Sequence, residues 1–364
     1  MIGKIVAFSI HHKLIVVLLM VGLIAWGVYS VYQIPLGTVP DITNNQVQVI
    51  TTSRNLATED IEQFITLPVE LEMGNLPGVQ EIRSISKFGL SVVTIIFDDK
   101  MGTYLPRQLI AEKLQSAADA IPSKYGRPEM GPISTGLGEI YQYILDIKPG
   151  YEAEYSTMDL RTIQDWIVKR QLVGIPGVVE VNTWGGYLKQ YEVVVTPESL
   201  RSMEIAIDDV FTALSANNEN VGGGYIEKYR ESYFIRGEGM AKSVQDIELI
   251  VVKNAENVPV LIRDIGEVRM GHANRFGAIT ANGSGEKVMG QIMMLKGANA
   301  GAVIEQVKDR IEKVQHSLPE GVYINPFLER TELIEKTTFT VVENLLFGAI
   351  IVIFVVVLLL GDIR

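Results

Sequence analysis

Two apolar runs, one near each end of the sequence, enclose a much longer polar region. The first run, Leu14 to Tyr32, has no charged side chain and is long enough to cross a hydrocarbon core of about 30 Å as a helix. The second extends from about Phe339 to Leu360, with Glu343 near its outer end. No small-x-small cleavage site is evident between Val28 and Pro35, so a cleaved signal peptide is disfavoured. We predict two transmembrane helices.

The charges beside the first run predict the orientation of both helices. Lys4 and Lys13 precede it without an acidic neighbour, and positive charge accumulates on the cytoplasmic side of membrane helices. We therefore expect both termini in the cytoplasm and the region from about Ile34 to Thr338 outside it.

The polar region contains an internal repeat. Leu76 to Ile82 (LPGVQEI) and Ile175 to Val181 (IPGVVEV) share a pattern, and amphipathic segments precede them at Ala57 to Gly74 and Met158 to Val173. Proline cannot continue a helix and glycine accepts unusual dihedrals, so each motif predicts a helix, a tight turn and a returning strand. The pattern is typical of a duplicated split βαβ layer.

Hydrophobic alternation predicts the elements of both copies. In the first copy we expect Thr58 to cap the first helix and a last strand to lie near Met130 to Ile133. The other predicted elements of the first copy are Val47 to Thr52, Gln80 to Ser86, Ser91 to Phe97 and the helix Pro106 to Ala120. Those of the second copy are Glu139 to Ile147, Leu160 to Leu172, Val178 to Thr183, Val288 to Leu295, Ala300 to Ser317 and Val322 to Phe327.

An insert separates the two halves of the second copy, from about Tyr187 to Gly271. Its strands are predicted at Tyr191 to Val195, Leu249 to Val252 and Val258 to Ile262, with a helix opening near Ile207, which indicates a small α+β unit. Within it, Gly222, Gly223 and Gly224 are expected to supply a sharp turn. By composition alone, a flexible surface loop is the better interpretation of these glycines.

Composition excludes several kinds of site. The chain has no cysteine, so disulfides and thiolate ligands are absent, and its net charge of -11 argues against nucleic-acid binding. His11 and His12 adjoin the first apolar run, and His272 and His316 lack a partner at ligand spacing. Met293 and Met294 fit core packing, while Asp98-Asp99 and Asp208-Asp209 fit turn and helix-dipole roles. We predict neither a metal site nor a cofactor in these residues.

Five motifs, in order along the chain, identify a family. The sequence resembles the resistance-nodulation-division (RND) superfamily of efflux pumps, and within it the cobalt-zinc-cadmium type of proton-driven exporter. The motifs are Val39 to Val49 (VPDITNNQVQV), Thr66 to Glu70 (TLPVE), Arg107 to Gln115 (RQLIAEKLQ), Met130 to Tyr143 (MGPISTGLGEIYQY) and Leu358 to Arg364 (LLLGDIR). Pumps of this kind are far longer, so the resemblance implies an amino-terminal third, which alone should not transport.

The resemblance implies a membrane protein of α+β class with two ferredoxin-like porter subdomains, the second interrupted by a docking insert. The implied divisions are 1–33 for the amino terminus and first span, 34–135 for the first porter subdomain, 136–186 with 272–328 for the second, 187–271 for docking and 338–360 for the second span. It also implies an inner membrane of a Gram-negative bacterium, a homotrimer, a periplasmic adaptor, an outer-membrane channel and a proton relay located after Arg364.

The trimer implies a contact site. In such pumps a hairpin of the docking insert reaches the neighbouring subunit, and this role would fall on Gly222, Gly223, Gly224, Tyr225, Tyr229, Tyr233 and Phe234. Exposed aromatic side chains favour an interface over a free loop.

Two other functions compete with metal export. A multidrug exporter of the same superfamily has the same architecture but typically lacks the first and fourth motifs. A two-span sensor with an extracytoplasmic ligand-binding domain has the same topology, but it does not require a duplicated βαβ unit with an insert. The metal exporter is the better interpretation on both counts.

Overall fold

A computed structural model describes residues 11–33, 42–53, 56–255, 258–275 and 277–360 of the chain. Lys4, the beginning of the Val39 motif and the end of the Leu358 motif lie outside the described residues. The predictions that depend on them are therefore not addressed by the structure. The first described element is helix α1, Lys13–Gln33, which contains the first apolar run.

The first sheet has four antiparallel strands in the order β2-β3-β1-β4. Side chains on alternate positions of its central strands are buried, as the sequence alternation predicts. Two helices, α2 and α3, supply the rest of this unit. The elements are β1 (Gln46–Thr52), α2 (Thr58–Ile61, Glu62–Thr66 and Leu67–Met73), β2 (Val79–Lys87), β3 (Leu90–Phe97), α3 (Tyr104–Ala120) and β4 (Pro128–Met130).

Three details of this unit differ from the sequence predictions. Thr58 is the first helical residue of α2 and not its cap, because Ala57 is the last extended residue and forms no side-chain hydrogen bond with the helix. The last strand ends at Met130 instead of beginning there, and Gly131 N continues the pairing by donating to Gln48 O at 2.8 Å. The middle of α2, Glu62–Thr66, is a π-helical turn that the apolar periodicity did not predict.

The next three elements are β5 (Glu139–Ile147), α4 (Thr157–Ile163, Gln164–Val168 and Lys169–Leu172) and β6 (Val178–Trp184). Helix α4 opens with a capping box, in which Ser156 and Asp159 each bond the other's backbone amide. Its middle segment is again a π-helical turn. The Pro-Gly turns after α2 and α4 both contain a left-handed glycine, Gly78 with φ +79° and Gly177 with φ +86°.

The inserted segment begins after β6. Strand β7 pairs with β12, and β10 pairs with β11, each antiparallel. The predicted strand at Leu249 begins later, at Val251, because Leu249 caps the preceding short helix. The elements are β7 (Lys189–Val195), α5 (Pro197–Ser202), α6 (Ile207–Ala216), β8 (Val221–Lys228), β9 (Glu231–Gly237), α7 (Val244–Glu248), β10 (Val251–Ala255), β11 (Val258–Leu261), α8 (Ile262–Ile265) and β12 (Gly266–His272).

The chain then returns to the sheet that it left. Strand β14 pairs with both β5 and β6, and β15 pairs with the other edge of β5, so the order is β6-β14-β5-β15, with β13 at the side of β14. In both large sheets, the first strand along the chain therefore lies between the third and fourth strands of its unit. The elements are β13 (Ile279–Thr280), β14 (Glu286–Met294), α9 (Ala300–Gln315), β15 (Val322–Glu329) and α10 (Thr331–Leu360).

Buried apolar side chains in the described part of the chain form three separate cores. One fills the space between the first sheet and α2 and α3, and another lies between the second sheet and α4 and α9. The third belongs to the insert and is built around Ile262 and Ile265, both fully buried. Because the insert has a core of its own, it does not depend on the second sheet for apolar burial.

One helical stretch among the described residues, Phe339–Leu359 of α10, has the length and hydropathy of a membrane span. Its apolar side chains are exposed, which suits a hydrocarbon environment and not water. In α1 the apolar stretch Lys13–Gly27 is shorter. The second predicted span is thus supported by the structure, and the first stays a prediction.

Candidate functional site

The predicted contact residues of the insert lie on one antiparallel hairpin, β8 and β9, and every residue of both strands is exposed. The rings of Tyr225 and Phe234 lie side by side, with centroids 6.3 Å apart. Phe234 is 84% exposed and Tyr229 90% exposed. A monomer in water would leave this apolar area uncovered, which is unfavourable for large side chains.

The glycines do not form the turn of this hairpin, so that prediction is wrong. Gly222 lies in the strand opposite Arg236, and the register shifts before Tyr225, so Gly223 and Gly224 form an irregularity in the ladder. The turn is made by Tyr229 and Arg230, whose φ angles are 54° and 69°. Two consecutive left-handed residues fit a two-residue hairpin turn, although glycine and asparagine are the usual occupants.

A second candidate surface is the face of the second sheet that points away from α4 and α9. Val288 and Ile292 of β14 are fully buried in the core, so the alternating Met289, Gln291 and Met293 point to the other face. Trp184 Nε1 donates to Gln291 Oε1 at 2.8 Å on that face. On this face Gln291 is buried, whereas Met289 and Met293 are partly exposed, so the face has both polar and apolar side chains.

Two carboxylates flank Met293 on this face. In the strand register Met293 is opposite Glu139 of β5 on one side and Glu180 of β6 on the other. Directly opposed residues of antiparallel strands project to the same side. Gln142 Nε2 donates to Glu139 Oε2 at 3.3 Å, which orients that carboxylate. Carboxylate oxygens suit divalent cations, and a thioether adds affinity for softer ones.

Sequence spacing could not have found this set, because Glu139, Glu180 and Met293 lie on three strands that are distant along the chain. The prediction for the two methionines is nevertheless consistent with the structure in part. Met294 packs against the core, while Met293 faces away from it. Among the described residues, no group of three or more His, Asp or Glu side chains is arranged to hold a metal ion.

A polar cluster at the other end of β5 is saturated with internal bonds. Lys287 Nζ donates to Asp146 Oδ1 at 2.8 Å, and the Tyr323 hydroxyl donates to Asp146 Oδ2 at 3.3 Å. Burial tends to raise the pKa of Asp146, but the hydrogen bonds from Lys287 and the Ile147 amide outweigh it, and the pKa lies below its ordinary value. This carboxylate is therefore ionised and committed to structure.

The histidines singled out by the sequence are not brought together. His272 stacks beside Tyr187, with ring centroids 4.4 Å apart, and Arg275 covers the same Tyr187 ring at 3.8 Å. Tyr187 precedes β7 and His272 is the last residue of β12. The stack therefore joins the two points at which the chain passes between the second sheet and the insert. His316 caps the end of α9. Asp98 accepts from the Lys100 amide, and Asp209 accepts from the Ala206 amide, as expected for turn and helix-start residues.

Comparisons with known proteins relate the whole chain to metal efflux proteins. The AcrB/AcrD/AcrF family model matches residues 5–364. The chain is 43% identical over 368 residues to the cobalt-zinc-cadmium resistance protein CzcA of Cupriavidus metallidurans, covering 100% of this chain and 34% of that protein. It is 35% identical over 365 residues to the cation efflux system protein CusA of Escherichia coli K12, again covering 100% and 34%.

A solved structure agrees with the sequence comparisons. The X-ray crystal structure of a heavy metal efflux pump, crystal form I, superposes with a TM-score of 0.87 at 30% identity, covering 98% of this chain and 35% of that one. The chain thus spans about a third of the length of the relatives that it matches.

Proposed function

Because this chain belongs to the AcrB/AcrD/AcrF family, we propose that it is part of a proton-driven exporter of heavy-metal cations located in the inner membrane. The observation that carries this proposal is identity of 43% along the entire chain to a protein named for cobalt, zinc and cadmium resistance. A protein of this kind is a transporter and not an enzyme in the ordinary sense. Proton antiport is part of the proposal.

The division of the chain follows the same proposal. Residues 34–135 would be the first porter subdomain, and 136–186 with 272–328 the second, since the two large sheets share one strand order typical of ferredoxin-like units. Residues 187–271 would be the docking insert, which is supported by their separate core. Residues 1–33 and 338–360 would contain the spans.

The proposed exporter works as an assembly of several proteins. The exposed hairpin formed by β8 and β9 would be covered by a neighbouring subunit of a homotrimer, and a periplasmic adaptor and an outer-membrane channel would carry the cation outward. The exposed aromatic area on the hairpin supports a protein contact. Cation efflux in the names of several relatives favours metals over drugs, and family membership favours a pump over a sensor.

We further propose that Glu139, Glu180 and Met293 line the path of the cation. Two carboxylates alone bind a divalent ion weakly, which is suitable for a cargo that must be released, and the rest of the pump would contribute further ligands. The supporting observation is their common register on the open face of the second sheet. None of the three side chains is sealed in the core, so an ion could approach them.

The test uses the complete pump that carries this sequence, reconstituted in vesicles with a pH gradient and a zinc-sensitive dye. We expect proton-dependent Zn²⁺ transport that Glu139→Gln with Glu180→Gln reduces about tenfold or more, since both ligand charges are lost. Glu305→Gln with Glu312→Gln removes the same charge from the exposed face of α9 and should leave transport unchanged.

Three results would count against these proposals. Transport of ethidium without transport of Zn²⁺ would favour the multidrug alternative. Absence of any transport by the wild-type pump would favour the sensor. Equal Zn²⁺ transport by the wild type and the Glu139→Gln, Glu180→Gln variant would remove those two carboxylates from the cation path.

A further inference from the structure

The hairpin formed by β8 and β9 is joined to the body of the insert by two short connections. The first connection, residues 217–220, follows α6, and the second, residues 238–243, leads from β9 to α7 and is called the strap below. Neither connection contains a helix or a strand. Because every residue of both strands is exposed, the direction of the hairpin depends on how these two connections are held.

Two asparagines of the first connection bind three consecutive amides of the strap. Asn220 Oδ1 accepts from the Gly239 amide at 3.1 Å and from the Met240 amide at 3.3 Å. Asn218 Oδ1 accepts from the Ala241 amide at 3.1 Å. The two connections are therefore bound to each other through side-chain oxygens.

The far end of the strap is bound to the body of the insert. Asp246 Oδ2, in the first turn of α7, accepts from the Lys242 amide at 2.8 Å and from the Ser243 amide at 3.0 Å. The Tyr191 hydroxyl of β7 donates to Lys242 O at 3.2 Å. All five amides from residue 239 to residue 243 thus have side-chain acceptors, although no regular structure forms there.

Hydrogen bonds hold the strap more than apolar packing does. Its residues are exposed or only partly buried, and an open hollow of about 320 Å³ lies beside it, lined also by Asn217 and Leu249. The strap nevertheless lies directly against the first connection, because a Cβ added at Gly239 would come within 2.4 Å of Glu219 O. Loss of the asparagine bonds would leave the strap with room to move.

The asparagine bonds continue the pairing of the hairpin at its base. The last backbone pair of the ladder is Val221 with Gly237. Asparagine side chains usually bond amides close to them along the chain, whereas these bonds join residues separated by 19 to 23 positions. The side-chain oxygens take the place of strand carbonyls, so the two connections form one braced base.

We propose that Asn218 and Asn220 are positioning residues, which hold the β8–β9 hairpin in the direction needed for its contact with a second copy of this chain. The inference rests on the contact between subunits proposed above. A hairpin that is already oriented loses less conformational freedom when subunits associate, which strengthens the contact.

This role differs from a contribution to the stability of the insert. Asn218 and Asn220 are both exposed, and neither belongs to the core built around Ile262 and Ile265. Loss of their oxygens should therefore free the hairpin while the insert stays folded. The spread of hairpin directions, and not thermal unfolding, is the quantity that reports the role.

The first test measures the direction of the hairpin in the purified 364-residue chain in detergent. The chain has no cysteine, so Glu198→Cys in α5 and Ser232→Cys in β9, both at exposed positions, introduce two spin labels. Double electron–electron resonance should give one narrow distance distribution. Asn218→Leu with Asn220→Leu, which keeps the side-chain size but removes the acceptors, should make the distribution about twice as wide or wider.

Three further variants separate the bonds from other effects of substitution. Asn218→Asp with Asn220→Asp keeps the acceptors and should restore the narrow distribution. Gly239→Ala should widen it by pushing the strap away from Glu219 O. Gly222→Ala is the matched control on the same hairpin, because nothing lies within 4 Å of its Cβ position, and it should leave the distribution unchanged.

The second test uses the complete pump that carries this sequence. On dilution in mild detergent, the Asn218→Leu, Asn220→Leu pump should dissociate at a protein concentration about tenfold higher than the wild type, because its hairpins are no longer oriented in advance. The Asn218→Asp, Asn220→Asp pump should dissociate as the wild type does. Size-exclusion chromatography of a dilution series measures both.

Equal distance distributions in the wild type and the leucine pair would overturn the proposal, as would equal widening in the leucine and aspartate pairs. A wider distribution without weaker trimers would also overturn it, provided that Tyr229→Asn with Arg230→Gly does weaken them, since the contact would then not need an oriented hairpin. If neither change weakens the trimer, the hairpin contact itself is wrong, and the positioning role is excluded with it.

Discussion

At the scale of single residues, the backbone dihedral angles of two glycines explain the Pro-Gly repeat. Gly78 and Gly177 both have left-handed φ angles, and both end a helix that a strand follows. A residue with a β-carbon is strained in that region. An added Cβ at Gly78 would also overlap the sulfur of Met101, and one at Gly177 would come within 2.6 Å of Val303 Cγ2.

Gly177→Ala should therefore lower the free energy of unfolding by two effects. The left-handed backbone contributes about 1 to 2 kcal/mol, and the contact with Val303 adds about 1 kcal/mol or more. Gly150→Ala is the matched control, because Gly150 has φ +98° but nothing near its Cβ position. Urea unfolding followed by circular dichroism measures both changes; an equal loss in the two variants would contradict the role of Val303.

Buried tyrosines make the stability of the second core dependent on alkaline pH. Burial raises the pKa of Tyr141 to about 12, and the negative charge of Glu329 contributes in the same direction. Burial likewise raises the pKa of Tyr143 far above its ordinary value, although the hydrogen bond with Gln164 opposes the shift. The unfolded chain loses these protons near pH 10, whereas the folded chain keeps them.

Stability from the protonated Tyr141 is thus complete below about pH 10 and is lost as the pH rises towards 12. We expect the free energy of unfolding to fall between about pH 10 and pH 12, and Tyr141→Phe to flatten that slope. Tyr225→Phe, which removes one exposed hydroxyl from the hairpin, is the matched variant for the loss of a tyrosine hydroxyl. A slope that is identical in wild type and Tyr141→Phe would exclude this tyrosine as its source.

At the scale of elements, the hairpin formed by β8 and β9 departs most from what local propensity favours. Its turn consists of Tyr229 and Arg230 in left-handed conformations, where asparagine and glycine are preferred. A large aromatic side chain at a strained and exposed tip is costly for the isolated chain. A contact between the tip and a neighbouring subunit, as proposed above, would offset this free-energy cost by burying the ring.

Tyr229→Asn with Arg230→Gly should stabilise the hairpin of the isolated chain by about 1 to 2 kcal/mol, because the turn strain is removed. The same change should weaken the trimer of the complete pump, because the tip ring is lost. Hydrogen exchange of the β8 and β9 amides measures the first effect, and size-exclusion chromatography in mild detergent measures the second.

Tyr229→Phe is the control for that experiment, since it keeps the ring and the strain and should preserve the trimer. A complete pump that remained fully trimeric with Tyr229→Asn and Arg230→Gly would contradict the contact, and the hairpin would then be a free surface element.

At the scale of the whole molecule, the separate cores favour movement of one folded unit relative to another. The two large sheets have cores of their own, and the insert has a third. Side-chain links between units include the stack of Tyr187, His272 and Arg275 at the junction of the second sheet and the insert. Such links are suited to controlling the relative position of rigid units.

The membrane topology can be tested because the chain has no cysteine of its own. Single cysteines at Ser123 and Asn254, both exposed, should react with an impermeant thiol reagent in cells whose outer membrane is permeabilised. A cysteine at position 4 should react only after the inner membrane is opened. Labelling at position 4 together with protection of the other two would reverse the orientation.

Sequence by itself determined the features that depend on neighbours along the chain. The apolar runs, the alternating strands, the amphipathic helices and the two Pro-Gly turns all follow from local spacing, and their bounds agree with the structure within a few residues. Buried alternation is visible in sequence because a side chain's face depends only on its position in its own strand or helix.

Tertiary structure alone decided which distant residues meet. Glu139 and Glu180 lie beside Met293 because of the register of β5 and β6 against β14. The turn at Tyr229 and Arg230 was hidden for a related reason: local propensity favoured the glycines, while the pairing of β8 with β9 set the position of the turn. Periodicity within one segment carries no information about its register against another segment far along the chain, so the candidate cation path could be recognised only once the strands were paired.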